Sequence, residues 1–246
     1  MSKTAPIAPT ELATICDEYL QVGEFDDYCP NGLQVDANTP ISKIITGVTA
    51  CQALIDKAIE LNAQAILVHH GYFWRGEPAP LVGMKGTRIR TLLQNNISLI
   101  AYHLPLDAHP VIGNNAMLAN ALGLTITGAL YPHEKHPVGN VATCSPMVSA
   151  DFAKKIEQVL GRAPLHLSGN PKRILTKIAL CTGGAQDMIT QAYAMGCTTQ
   201  LARELDVDYL GAGHHATERG GIKALGEHLA DTLGLDVVFV DIDNPV

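Results

Sequence analysis

Three short clusters of imidazole and carboxylate side chains each follow an apolar segment of the sequence. Near pH 7 these groups are already in the forms that bind metal ions. Mixed sets of this kind suit zinc, iron, nickel or manganese and can hold two metal ions. Most of the ten histidines lie in these clusters, which contain His69 and His70, then His103, Asp107 and His109, and finally His214, His215 and Glu218.

Each cluster taken alone has an ordinary structural explanation. A histidine at the end of a strand is commonly a hydrogen-bonded core or rim residue, and a lone carboxylate there is commonly a helix cap. The recurrence of the pattern after three separate apolar segments favours a shared metal site instead.

Spacing limits which of these residues can act together. His214 and Glu218 are four residues apart, so they share a face if this turn is helical. His214 and His215 cannot point the same way in regular structure, so one is expected to be a ligand and the other to support it. The same caution applies to His69 and His70, unless the chain bends at Gly71.

The segments that carry the first two clusters alternate between strand-like and helix-like patterns. A first helix, predicted to be capped by Thr10, precedes them, and "PNG" marks a turn into a short strand. The segments "KIITGVTA", "AILVHH" and "ISLIAYH" are apolar or β-branched, and amphipathic helical segments separate them. This alternation predicts an α/β fold with mainly parallel sheets flanked by helices, in which sites lie beyond the carboxyl ends of strands.

Composition excludes several classes of protein. The 246 residues carry a formal net charge of -7 without a Lys/Arg run, which argues against a surface that neutralises nucleic-acid phosphates. The six cysteines form no Cys-x-x-Cys pair, as expected of reduced thiols in the cytoplasm. The sequence shows no apolar signal core or membrane-spanning stretch, so a cytoplasmic protein without a membrane partner is predicted.

Four motifs together resemble the NIF-three-like family, in its bacterial YbgI-type branch of GTP cyclohydrolase I type 2 homologues. The motifs are "NGLQV", "VHHG" followed by "FW", "YHLPLDAH" followed by "GNN", and "GHHATERGG", in this order over nearly the whole chain. The resemblance implies a toroidal homohexamer of two-lobed α/β subunits with a dinuclear metal site. It implies His69, His70, Asp107, His214 and Glu218 as the metal ligands, with His103 nearby in the site.

The resemblance also assigns the lobes. Residues 1–127 and 201–246 would form the metal-binding lobe, and residues 128–200 a smaller lobe inserted into it. One departure lies after Cys197, where the family pattern carries a further strand that ends in a Thr/Ser-Gly-Glu turn. Either the chain has lost this edge of its second lobe or the sequence omits a loop, and no substrate contact is therefore predicted from that turn.

Two functions from different classes follow from these observations. The first is a hydrolase that depends on two divalent transition-metal ions per subunit, acts on a small molecule such as GTP or another nucleotide, and uses His103 as a catalytic acid or base. The alternative is a ring-shaped metal-binding or metal-handling protein without catalysis. Five ligands for two metals leave open coordination positions, which favours the hydrolase.

Overall fold

A computed structural model of the chain describes residues 5–168, 170–195 and 208–244. They divide into two compact units. The first comprises the residues up to His109 together with Gly221–Asp243, and the second consists mainly of Pro110–Gly220. The second unit thus lies in sequence between two stretches of the first, and residues 128–200, the predicted smaller lobe, fall within it. The predicted α/β class is confirmed.

The secondary structure of the described residues alternates between helices and strands along much of the chain. In chain order the helices are α1 (Pro9–Tyr19), α2 (Gln52–Glu60), α3 (Gly83–Gln94), α4 (Leu104–Ala108), α5 (Asn114–Ala121), α6 (Ser149–Leu160), α7 (Ile189–Ala194), α8 (His214–Thr217) and α9 (Arg219–Leu233). The strands are β1 (Gly32–Val35), β2 (Lys43–Thr49), β3 (Ala65–His70), β4 (Ser98–Ala101), β5 (Thr125–Ala129), β6 (Asn140–Val148), β7 (Leu165–Ser168), β8 (Ile174–Leu180), β9 (Asp208–Gly211) and β10 (Asp236–Phe239).

The first unit is built on a five-stranded sheet in the order β1-β4-β3-β2-β10. Strands β10, β2, β3 and β4 run parallel to one another, whereas β1 pairs antiparallel with β4. Because parallel strands end at the same edge of a sheet, the carboxyl ends of β2, β3 and β4 lie together. Thr49, His70 and Ala101 are the last residues of these three strands.

The central strand β3 shows why this sequence forms a parallel sheet. Ala65 through His69 are all buried, as expected of a strand covered on both faces by helices. Its side chains pack in a core with those of α2, α3 and β4, including Leu54, Ile89 and Leu99. The apolar run therefore fixes the strand deep in the sheet and brings its two terminal histidines to the carboxyl edge.

The first helix begins one residue before the predicted cap. Ala8 is the N-cap and Pro9 the first helical residue, so the prediction of Thr10 as the cap is wrong. Proline suits the first helical position because its φ is fixed near the helical value and its missing N–H would have no intrahelical partner.

The second unit contains antiparallel strand pairs. One sheet has the order β5-β6-β8, and β7 pairs with β9. Helix α6 buries Phe152 and Ile156, four residues apart on one face, in a core with Ile178 and Leu180 of β8. The parallel arrangement predicted from the βαβ pattern thus describes the first unit. No helix in the described part of the chain is long and apolar enough to cross a bilayer.

Gly47 of β2 provides a test of packing beneath the carboxyl edge. A Cβ at this position would lie 2.8 Å from Leu54 Cδ2 and 3.1 Å from the carbonyl oxygen of Val240. We expect Gly47→Ala to lower the free energy of unfolding by about 1–3 kcal/mol, measured by urea denaturation. Gly23→Ala is the control, because a Cβ at Gly23 meets no atom within 4 Å. An equal effect of both substitutions would contradict this account.

Candidate metal centre

His69 is held by a backbone hydrogen bond at the carboxyl edge of the sheet. Its Nδ1 lies 2.9 Å from the carbonyl oxygen of Tyr102, and the side chain is completely buried. A carbonyl only accepts hydrogen bonds, so Nδ1 carries the proton and, in the neutral ring, Nε2 carries the lone pair. This is the arrangement in which a histidine binds a metal through Nε2.

Asp107 faces this lone pair from the short helix α4. Helix α4 starts directly after His103, and the N–H of Asp107 donates to the carbonyl of His103 at 3.1 Å. Asp107 is buried, and its Oδ1 lies 3.5 Å from His69 Nε2. Two acceptor atoms at this distance repel each other, so a cation or proton between them is strongly favoured.

His70 and His103 complete a group of three imidazoles in the first unit. His70 Nδ1 lies 3.3 Å from the hydroxyl of Thr49, at the end of the neighbouring strand β2. The ring centroid of His69 is 4.5 Å from that of His70 and 5.1 Å from that of His103. One ring nitrogen from each of the three lies within 4.8 Å of the others, close enough for candidate metal ligation.

His103 is oriented by the buried carboxylate of Asp27. Its Nδ1 lies 2.7 Å from Asp27 Oδ1, and its backbone N–H donates to Asn31 Oδ1 at 2.7 Å. Asp27 also accepts hydrogen bonds from the N–H groups of Tyr28 and Leu104 and from the side-chain amide of Asn31. As a carboxylate only accepts, Nδ1 of His103 carries a proton, and the neutral ring is a base at Nε2.

The pKa of Asp27 reflects this arrangement. Burial alone would raise the pKa, but the hydrogen bonds from His103 and Asn31 outweigh it and hold the pKa below its ordinary value. Asp27 is therefore ionised near neutral pH and can stabilise a positive charge that develops on His103.

A tight turn after β3 packs an indole against the imidazoles. Phe73 has a φ of 67°, a left-handed conformation that is uncommon for an aromatic residue, and the Trp74 indole N–H donates to the carbonyl of Gly71 at 3.2 Å. The Trp74 ring lies edge-on to His103, with centroids 4.9 Å apart, and 5.9 Å from His70. This apolar wall restricts the freedom of both imidazoles.

The second unit brings His214 and Glu218 together. Helix α8 begins at His214, and His214 Nε2 lies 3.1 Å from Glu218 Oε1, as the spacing of four predicted. The side chain of His214 is 44% exposed, whereas that of Glu218 is 2% exposed. His215 is buried.

A glycine allows the backbone to approach this pair closely. Gly183 has a φ of 77°, and a Cβ there would collide with Glu218 Oε1 and lie 3.3 Å from His214 Nε2. Its N–H donates to the hydroxyl of Thr217 at 3.3 Å. The Gly183-Gly184 turn is therefore a packing feature beside two candidate ligands.

Sequence reasoning missed Asp27 and Asn31 and grouped His109 with the candidate ligands. Asn31 belongs to the "PNG" turn and to the "NGLQV" motif, but neither pattern predicts that Asn31 and Asp27 hold His103. His109 lies instead against Tyr19, with ring centroids 4.9 Å apart. Burial, and secondarily the nearby His228, lower the pKa of His109.

Comparison with known proteins identifies the family. The model of the Duf34/NIF3 (NGG1p interacting factor 3) family matches residues 8–245. The chain belongs to the Duf34/NIF3 family. This membership confirms the resemblance seen in the four sequence motifs.

Relatives match along nearly the whole chain. The Vibrio cholerae protein is 49% identical over 96% of this chain and 98% of its own length, and the Haemophilus influenzae protein is 51% identical with the same coverage. Both are named GTP cyclohydrolase 1 type 2 homolog. The solved structure of protein ybgI matches with a TM-score of 0.91 and 44% identity over 98% of this chain and 100% of that chain. A Thermus thermophilus protein of known structure matches with a TM-score of 0.83 and 31% identity over the same shares.

Metal binding by the first-unit cluster can be measured directly. We expect His69→Ala and Asp107→Ala to lose most of the transition metal bound by the purified parent protein, because each removes a buried donor atom. Inductively coupled plasma mass spectrometry gives the metal content per chain. His109→Ala should keep the parental content, because His109 packs against Tyr19. Parental metal content in both ligand variants would contradict the assignment.

Proposed function

We propose that this Duf34/NIF3 protein is a metal-dependent hydrolase with two divalent transition-metal ions per subunit. The proposed ligands are His69, His70 and Asp107 of the first unit and His214 and Glu218 of the second. The observation that carries the proposal is the contact between His69 Nε2 and Asp107 Oδ1 among three clustered imidazoles.

The donor atoms fit a transition metal better than magnesium or calcium. Imidazole nitrogens with carboxylate oxygens suit zinc, iron, nickel or manganese, whereas sites for the harder cations consist of oxygen ligands. When bound, such ions act as Lewis acids and lower the pKa of water. Asp107 and Glu218 are buried carboxylates, and a bound cation would offset the cost of burying their negative charge.

His103 is the proposed catalytic acid or base. Asp27 holds the Nδ1 proton in place, so the Nε2 lone pair can accept a proton and later return it to a leaving group. The same carboxylate stabilises the imidazolium that forms in between. Asp27 is therefore a positioning residue that acts through His103.

The substrate is proposed to be a small molecule, with nucleotides as the first candidates. The relatives carry the name GTP cyclohydrolase 1 type 2 homolog, which suggests hydrolytic opening of a purine ring. A net charge of -7 disfavours a nucleic-acid substrate, which would need extensive phosphate neutralisation.

The experiment that tests the proposal measures turnover by metal-loaded protein. GTP, other nucleotides and phosphodiesters are incubated with protein loaded with zinc, manganese, iron or nickel, and His69→Ala serves as the blank. We expect metal-dependent hydrolysis of one of these classes. If the metal-loaded protein turns over none of them, the metal-handling protein without catalysis becomes the better account.

The contribution of the Asp27–His103 pair can be separated from metal binding. We expect His103→Ala to keep the metal ions but lower kcat by about 100-fold or more. Asp27→Asn should lower kcat by about 10-fold or more at nearly unchanged KM. The amide N–H of asparagine can donate to Nδ1 of His103, which favours the tautomer whose Nε2 carries the proton and is no longer a base. NMR of ¹⁵N-labelled protein should show a changed His103 tautomer population in this variant. An unchanged tautomer with unchanged kcat would contradict the role of Asp27.

We also propose that the subunits form a toroidal homohexamer, as the family resemblance implies. Closed symmetric rings are a common form of homo-oligomer. Multi-angle light scattering at micromolar concentration should then give a mass near six times 26.2 kDa. A stable monomer under these conditions would refute the assembly without bearing on metal binding.

A further inference from the structure

A cavity of about 400 Å³ lies within the second unit, among α5, α6 and β8. Protein interiors are close-packed, and voids larger than a water molecule are few. A cavity of this size falls instead in the range of small-molecule sites, about 300–1,000 Å³. It therefore calls for an explanation other than imperfect core packing.

The walls of the cavity are apolar on several sides. Helix α6 contributes Phe152, Ile156 and Leu160, which are spaced by four residues and share one face of the helix. Strand β8 contributes Ile178 and Leu180. These side chains come from regular elements, so the shape of the cavity is set by the scaffold.

The described lining contains no Asp, Glu, Lys or Arg. Polar side chains also line it, namely those of Cys181, Tyr209, His214 and Thr217. The Thr217 hydroxyl already lies 2.8 Å from the carbonyl of His214 and accepts the N–H of Gly183. The half-exposed imidazole of His214 is the polar lining group that also belongs to the proposed metal ligands.

We propose that this cavity binds the uncharged aromatic ring of a small molecule whose polar end reaches His214. The inference goes beyond the proposed function and rests on it in one respect, the assignment of His214 to the metal centre. A phosphate inside the cavity would lose its hydration without a compensating cation. Most of the lining side chains are apolar, so a guanine base would leave part of its hydrogen-bonding edge unsatisfied and a more apolar ring fits better.

The cavity can be tested with the uncharged aromatic probe N-phenyl-1-naphthylamine. In metal-free protein we expect saturable fluorescence enhancement with one probe per chain. Ile156→Trp fills the cavity with an indole ring and should weaken probe binding by about tenfold or more, because the cavity cannot accommodate both the indole and the probe. Val159→Trp is the matched control on the same helix, since Val159 is 37% exposed and lies outside the lining. The Val159→Trp variant should bind the probe with the affinity of the parent protein. In the parent protein, an excess of guanosine should not displace the probe.

Further variants separate the possible outcomes. Circular dichroism verifies folding, and Leu160→Trp replaces Ile156→Trp if the latter does not fold. Parental affinity in a folded cavity-filling variant, or displacement of the probe by guanosine, would overturn the proposal. His69→Ala should bind the probe with the affinity of the parent protein but lose metal. Retained metal in that variant would count against the proposed function and leave the cavity proposal unaffected.

Discussion

The hydrogen bond from His69 Nδ1 to the carbonyl of Tyr102 determines which nitrogen of the central imidazole is available. It joins the end of β3 to the residue that follows β4, and both are completely buried. The Tyr102 hydroxyl lies 2.7 Å from Asp17 Oδ1, which ties this point of the sheet to α1. Burial raises the pKa of Tyr102, so its hydroxyl remains protonated and can donate. The orientation of the candidate ligand thus depends on a chain of contacts that extends from α1 through the sheet edge.

A second constraint is the burial of the Asp27 carboxylate. Burying an anion is costly unless hydrogen bonds replace its lost hydration, and here backbone and side-chain donors do so. The same environment affects Cys29, whose pKa is raised to about 12 by burial and by the charge of Asp27. The Cys29 thiol therefore stays protonated near neutral pH, and it lies close to His103. The buried charge of Asp27 thus acts on both the imidazole of His103 and the thiol of Cys29.

The parts of the fold and site that could be predicted from sequence depend on local pattern. The buried run Ala65–Val68 predicted both the strand and the location of His69 and His70, because periodicity and strand order suffice for that step. Asp27 could not be found in this way, since it is 76 residues from His103 and no periodic pattern connects them. The antiparallel pairing in the second unit was missed for a related reason. Strands β6 and β8 pair across the intervening α6 and β7, and no local pattern in the sequence indicates which strands pair.

Close backbone approach organises the candidate donors in each unit separately. A Cβ at Gly71 would collide with the side chain of Gln34 and lie 2.7 Å from Ala101 Cβ, so only glycine lets the chain turn directly after His70. In the second unit, Gly183 likewise leaves no room for a Cβ beside His214 and Glu218. In both places the space that a side chain would occupy is used to pack backbone against the residues around the donors. Each unit therefore restricts its own donor groups before any ligand binds, which lowers the entropic cost of binding a metal ion.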